Sequence, residues 1–287
     1  MKFQAVKAEK KQLKARIGIV GPSGSGKTYT ALALATGLGG KIGFIDTESG
    51  SASLYADQFD FDVVNLGPPF DPELYAEAIH YLESEGYDVI VVDSLSHAWF
   101  ATGGALDQAD KGADRYRGNR FAAWRDVTPK HNAMVDALIG CRSHLIACMR
   151  AKQAYEQEKD EKGKTKIVKL GLAPIQRDGM EYEFDIVGDM DLQHNWIISK
   201  TRCRELDGEV IRMPGKETAE RILSWLNDGT PQVPLITYEQ QEKIKSLFNA
   251  INYKDYDAAL NKQGFPRLIK LTEEQADQVI ERLEAKK

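Results

Sequence analysis

Arg16-Ile-Gly-Ile-Val-Gly-Pro-Ser-Gly-Ser-Gly-Lys-Thr28 is a short apolar run that ends in a glycine-rich turn and a Lys-Thr pair. The run reads as a buried strand. Gly21 to Thr28 matches the spacing G-x-x-x-x-G-K-[ST], and it stands before Ala31, Leu32, Leu34, Ala35 and Leu38, which recur at helical intervals. A strand, a turn and a helix start are the context this motif requires. Gly24 and Gly26 let the backbone curl so that N–H groups and the helix N-terminus face phosphate oxygens. The spacing therefore makes Gly21, Pro22, Ser23, Gly24, Ser25, Gly26, Lys27, Thr28 and Tyr29 the candidate nucleotide-binding stretch. Lys27 would reach the β and γ phosphates of ATP, and the Thr28 hydroxyl would ligate Mg²⁺. A merely flexible Gly/Ser turn would leave the Lys-Thr pair without a purpose.

Outward from the loop the chain alternates strand with helix. Lys41-Ile-Gly-Phe-Ile-Asp46 is a second apolar run, and Phe61 to Leu66 reads as a third strand. Asp71 and Pro72 then open a helix to about Glu85, because proline's missing N–H costs nothing in the first turn. Tyr87-Asp-Val-Ile-Val-Val-Asp93 is apolar on successive residues, as a strand covered on both faces would be. Its terminal Asp93 is the natural magnesium carboxylate of the loop. A long helical pattern from Asn119 to Gly140, which Pro129 is expected to interrupt or kink, leads to the strand Ser143 to Met149. Polar, lysine-rich sequence follows, with Asp160-Glu-Lys-Gly163 as the tip of a hairpin. Strands at Phe184–Asp191, Asn195–Thr201 and Glu209–Met213 and a helix at Thr218–Leu226 close the unit. The fold class is α/β, with a mostly parallel central sheet between helices.

Asn227 to Ile236 holds two prolines and a glycine and marks a domain boundary. The expected organisation is a basic arm over 1–15, a core over 16–228, a linker over 229–236 and a small helical module over 237–287. Thr237-Tyr-Glu-Gln240 and Thr272-Glu-Glu-Gln275 are capping boxes, each opening a helix of that module. Its nine basic and nine acidic side chains cancel, so charge names no partner for it.

At 287 residues, 42% hydrophobic and 28% charged, the composition excludes disorder and fibre. The net charge of -5 gives no global field for nucleic acid, so any such binding must be local. Cys141, Cys148 and Cys203 form no C-x-x-C and read as core thiols of a reducing compartment. The five histidines lack metal-ligand spacing, and His97 is either near nucleotide or an ordinary loop residue. No stretch approaches the roughly 18 apolar residues of a membrane span. The expected location is cytoplasmic, in the host cell if the chain is phage-encoded.

Phe44-Ile-Asp-Thr-Glu48 resembles the RecA-like recombinases, in which the strand after the loop helix ends in a comparable Asp-x-Glu. The span from about Arg16 to Asn227 looks like the phage-encoded RecA-like P-loop NTPases that include ATP-dependent single-strand annealing proteins. Asp93-Ser94 and Pro174 to Phe184 strengthen the likeness. The resemblance implies a RecA-like core, a Glu48 that orients the attacking water, and a homo-oligomer, ring or filament, with ATP at the subunit interface. Lys200-Thr-Arg202 is similar to the family's K-x-R element, so Lys200 and Arg202 would act as fingers toward a neighbour's γ phosphate. The chain departs from the pattern at Cys148, where a glutamine is usual; Gln153 is the nearest downstream, and Arg150, on the strand face of Cys148, would sense phosphate or contact DNA instead. Coupling between nucleotide and DNA is the property this departure touches.

Two segments are candidates for single-stranded DNA, at positions that correspond to the family's DNA-facing loops. Arg115, Arg117 and Arg120 interleave with Tyr116 and Phe121, a composition suited to phosphates and stacked bases. The hairpin carries Arg150, Lys152, Lys159, Lys162, Lys164, Lys166 and Lys169 against four acids. Solvated charged loops have the same composition. Trp99 and Phe100 read as core or interface aromatics. A recombination or annealing ATPase is the expected function. The alternatives are a ring-type DNA motor and a nucleotide-switched assembly protein without DNA. A single-strand-binding protein is among the partners that the helical module could dock. A small-molecule kinase would leave Glu48 and the hairpin without a role.

Overall fold

The computed structural model describes residues 7–159, 165–231, 233, 235–251, 253 and 255–285, with side chains described outside 153–171. Leu13–Asp228 is one compact unit, and the described residues of Met1–Gln12 and Gly229–Lys287 form a second.

The first unit runs β1 (Arg16–Gly21), α1 (Lys27–Leu38), β2 (Ile42–Asp46), β3 (Asp62–Asn65), α2 (Pro72–Ser84), β4 (Val89–Asp93), α3 (His97–Phe100), α4 (Ala105–Gly112) and α5 (Arg120–Gly140). It continues with β5 (His144–Lys159), β6 (Thr165–Pro174), β7 (Ile186–Met190), β8 (Asn195–Thr201), β9 (Val210–Arg212) and α6 (Lys216–Asn227). The sheet order is β3-β2-β4-β5-β1-β7-β8-β9, with β6 paired to β5 off this path. Pairing is parallel from β3 through to β7 and antiparallel for β7 with β8, β8 with β9, and β5 with β6. The architecture is a mostly parallel sheet with helices on both faces.

Why the central strands are apolar without alternation is clear from their two faces. Ile17, Ile19, Val89, Val91 and Ile146 pack with Leu32 and Leu34 of α1 and Ile222 of α6. Their sequence neighbours Val20, Ile90, Val92, Leu145 and Ala147 pack with Ile79 and Leu82 of α2 and Met134 and Leu138 of α5. A strand covered on both sides has no solvent face on which to place polar residues.

Asp71 caps α2 by accepting the Glu73 N–H at 3.1 Å, with Pro72 in the first turn. The expected interruption at Pro129 is corrected, since α5 continues through it for 21 residues. Packing of Val127, His131, Met134 and Leu138 into the interior outweighs one lost backbone bond. Trp99 stacks on Trp124 at 5.5 Å over buried Ala105, Ala109 and Val127, a small apolar cluster of its own. Beyond Met149, β5 leaves the core and returns as β6, paired from Ala151 opposite Pro174 to Lys159 opposite Thr165 with one register shift between Ala154 and Tyr155. The tip at 160–163 lies outside the described residues.

The second unit contains α7 (Tyr238–Ala250), α8 (Tyr256–Lys262) and α9 (Glu273–Glu284) around Ile244, Leu247, Phe248, Leu260, Val279 and Leu283. Thr237 with Gln240 and Thr272 with Gln275 both form reciprocal capping boxes. Lys11 and Thr230 join in a parallel bridge, so part of the N-terminal segment belongs to this unit. No helix of the described residues is long and apolar enough to cross a membrane.

Candidate functional site

Parallel strands deliver their C-terminal ends to one edge of a sheet, and ligands of open α/β folds bind there. Asp46 stands opposite Asp93, and Asp93 opposite Cys148, while Gly21 stands opposite Arg150. The loop between β1 and α1 crosses this edge. Gly24 and Gly26 take φ of 78° and 85°, a left-handed backbone that side-chain-bearing residues rarely adopt. No side chain caps α1, so its first N–H groups are left for a ligand. Buried Ser25 donates from Oγ to the Pro22 carbonyl at 2.9 Å and holds the curl closed.

The Lys27 ammonium donates to the same Pro22 carbonyl at 2.9 Å. Thr28 Oγ1 donates to Asp93 Oδ2 at 2.6 Å. Burial pushes the Asp93 carboxyl up to about 6; the Thr28 bond opposes the rise, Glu48 adds to it and Lys27 opposes it. A buried carboxylate beside a threonine hydroxyl at a helix start is a hard-oxygen pair that fits Mg²⁺.

Asp46 shapes the adjoining turn. Its Oδ1 accepts the Glu48 N–H at 2.6 Å and its Oδ2 accepts the Ala52 N–H at 3.1 Å. The Glu48 side chain meets Arg150, whose Nε and Nη2 donate to Glu48 Oε1 at 3.1 and 2.9 Å. Arg150 also lies 5.7 Å from the centre of the Phe100 ring. Buried His97 bonds Thr47 Oγ1 through Nδ1 at 2.8 Å, and burial followed by the Arg150 charge lowers its pKa. It thus anchors the strand end behind Glu48. Burial raises the Cys148 thiol well above its ordinary value and leaves it inert.

Pro22, Ser23, Gly24, Gly26, Lys27, Thr28, Glu48, Tyr55, Asp93 and Arg150 line a cleft of ≈ 350 Å³. Tyr29 is exposed beside the loop, with its ring edge-on to Tyr55 at 5.9 Å and to Phe59 at 5.2 Å. The sequence offers no signal for Tyr55 or for the Arg150–Glu48 pair, because sequence separation hides the contacts. Arg150, expected to sense phosphate or to contact DNA, lines the cleft.

Lys200 and Arg202 stand apart from this cleft. The Lys200 ammonium donates to the carbonyls of Glu181 and Tyr182, both at 2.9 Å, and to that of Phe184, while Arg202 pairs with Asp185. The arginine segment is divided by its own acids. Arg115 pairs with Asp126 at 3.5 Å and Arg120 with Asp110 at 2.6 Å, and the Tyr116 hydroxyl donates to Asp126. Arg117 adopts φ 56° and is exposed, and Phe121 is 90% exposed. Lys152 is exposed; Lys166 lies opposite Glu158 in the β5–β6 register, and Lys162 and Lys164 fall outside the described residues.

No curated protein matches the chain. Among solved structures, a prototypical ATPase from the type III secretion system of pathogenic bacteria is 12% identical, with a TM-score of 0.34, over 94% of this chain and 79% of that one. At that score the likeness is too loose to carry an argument. Residues 13–228, most of the chain, match the family model described as an AAA domain, and the chain belongs to that family of ATPase domains.

Proposed function

We propose that this ATPase uses ATP and Mg²⁺, binds single-stranded DNA and promotes its pairing or annealing in recombination or replication of phage DNA. The observation that carries the nucleotide chemistry is one cleft that gathers Lys27, Thr28, Asp93, Glu48 and Arg150. On ATP binding, Lys27 would exchange the Pro22 carbonyl for phosphate oxygens, and the uncapped start of α1 would supply N–H donors. Thr28 and Asp93 would hold Mg²⁺, which screens charge on the phosphates when bound. Glu48, freed from Arg150, would orient the attacking water.

The link to DNA rests on Arg150. It pairs with Glu48 at 2.9 Å and, with Ala151 after it, lines the cleft where the lysine-rich hairpin leaves the core. DNA held by Lys152 and its neighbours on that hairpin would thereby act on Glu48. Arg117 and Phe121 offer an exposed charge and an exposed ring for a phosphate and a base. Lys200 and Arg202 would complete a neighbour's site in a head-to-tail assembly only after leaving their present partners. The ion pairs that occupy Arg115 and Arg120 favour a second reading, a nucleotide-switched assembly protein without DNA.

ATP turnover with and without single-stranded DNA, across protein concentration and at two salt levels, separates the two. Stimulation that weakens with salt and rises with protein concentration is expected. Turnover indifferent to DNA would favour the assembly switch. Lys27→Ala should abolish turnover while keeping the fold, and Glu48→Gln should bind ATP without hydrolysing it. An unchanged rate in either variant would overturn the corresponding assignment.

A further inference from the structure

The turn between β7 and β8 touches the phosphate loop from outside the cleft. His194 lies there, with Nδ1 3.1 Å from the Ser25 carbonyl oxygen. A carbonyl only accepts, so Nδ1 carries the proton and donates. The fit is close. A Cβ added to Gly26 would stand 2.9 Å from His194 Nδ1, so the ring occupies the space that glycine leaves open.

His194 is held there against its own backbone preference. Its φ is 62°, in the left-handed region that residues with a side chain rarely adopt. The turn over-determines it. Asp191 Oδ1 accepts the N–H groups of Gln193 at 2.8 Å and Asn195 at 2.9 Å, and Asp191 Oδ2 accepts from Asn195 Nδ2 at 2.8 Å. The His194 N–H donates to the Asp191 carbonyl, and the His194 carbonyl accepts the Met213 N–H at 2.9 Å. These five hydrogen bonds fix a residue of left-handed backbone whose ring meets the loop.

We propose that His194 is a positioning residue for nucleotide binding, orienting and polarising the Ser25–Gly26 peptide from behind. The Ser25 carbonyl and the Gly26 N–H belong to one peptide plane and point in opposite directions. A donor on the carbonyl therefore aims the Gly26 N–H away from His194, and Gly26 lines the cleft. Hydrogen bonds in a chain strengthen one another, so the bond to Ser25 makes the Gly26 N–H a better donor to phosphate. The chemistry recognised is a nucleoside di- or triphosphate, and the inference rests on the reading of the loop as the phosphate site.

Two variants isolate the donor from the shape. His194→Gly removes the ring and relieves the left-handed backbone, so it folds. His194→Asn keeps an N–H donor at the δ position of a side chain that tolerates the same backbone. The probe is a fluorescent ADP analogue with Mg²⁺, read as Kd, alongside KM and kcat for ATP. His194→Gly should weaken Kd and raise KM by about fivefold, the worth of one hydrogen bond, with kcat unchanged. His194→Asn should stay within about twofold of the parent chain. Unweakened binding by His194→Gly, or binding by His194→Asn as weak as His194→Gly, overturns the proposal.

The Gly26 amide proton, observed by NMR without nucleotide, gives a second readout. It should move upfield in His194→Gly and be retained in His194→Asn, and an unmoved resonance in His194→Gly overturns the brace. This measurement stands apart from the loop assignment. If neither the parent chain nor Lys27→Ala bound the probe, the loop assignment would fail and the amide shift would still decide the brace.

Discussion

A buried carboxylate is a burden to the fold. Asp93 is 3% exposed, and burial pushes its carboxyl up to about 6 from an ordinary 3.8. The folded chain therefore binds this proton more tightly than the unfolded chain does. Stability from Asp93 is fully present below pH 3.8 and is lost as pH rises through about 6, so the penalty is complete at pH 7.5. Its size is on the order of 3 kcal/mol. Asp93→Asn keeps an oxygen to accept the Thr28 hydroxyl and removes the charge. We expect urea titration of the nucleotide-free variant to show higher stability at pH 7.5, with the gain vanishing near pH 4, while turnover with Mg²⁺ falls by roughly two orders of magnitude. A variant less stable than the parent at pH 7.5 would mean that ionised Asp93 stabilises the free fold. Lys27 and Thr28 are legible in the sequence because local spacing sets them, and Asp93 because it ends an apolar run. Arg150 meets Glu48 across 102 positions and His194 meets Ser25 across 169, so only the folded sheet shows those contacts.

Among elements, α1 matters because it begins at the phosphate loop, and its far end is set by α6. A Cβ added to Gly37 would stand 2.6 Å from Ala219 Cβ and 2.9 Å from Lys216 Cα. Helix propensity favours alanine over glycine by about 1 kcal/mol. Overpacking costs about 1–3 kcal/mol, and a backbone Cα cannot swing aside as a long side chain would. Overpacking wins, so Gly37→Ala should lower the melting temperature by about 2–4 °C. Because α1 must tilt to make room, ADP should also bind more weakly, as a fluorescent analogue would report. Unchanged melting would show that the helices separate freely. The helices and strands around this contact follow from apolar periodicity, yet the short α3 and α4 carry too few turns to display a period. The run through Pro129 shows the opposite limit, since long-range packing overrides a local breaker.

At the scale of the molecule, the described residues place one pair of hydrophobic clusters on the faces of the sheet and another cluster within the C-terminal helices. A core as small as the second rarely supplies more than about 3–5 kcal/mol. Leu260, fully buried in it, loses about 2–5 kcal/mol on truncation to alanine. That is most of the module's stability and none of the catalytic unit's. Calorimetry of the full chain should therefore show two transitions, and Leu260→Ala should remove the smaller one while leaving the larger in place. Basal ATP turnover should persist in the same preparation, since every cleft residue named above lies within Leu13–Asp228. A single transition that shifts as one would show that the cores unfold as one cooperative unit. Loss of DNA stimulation with basal turnover retained would instead assign the module to the assembly or to its partner, a role on which its balanced charge is silent.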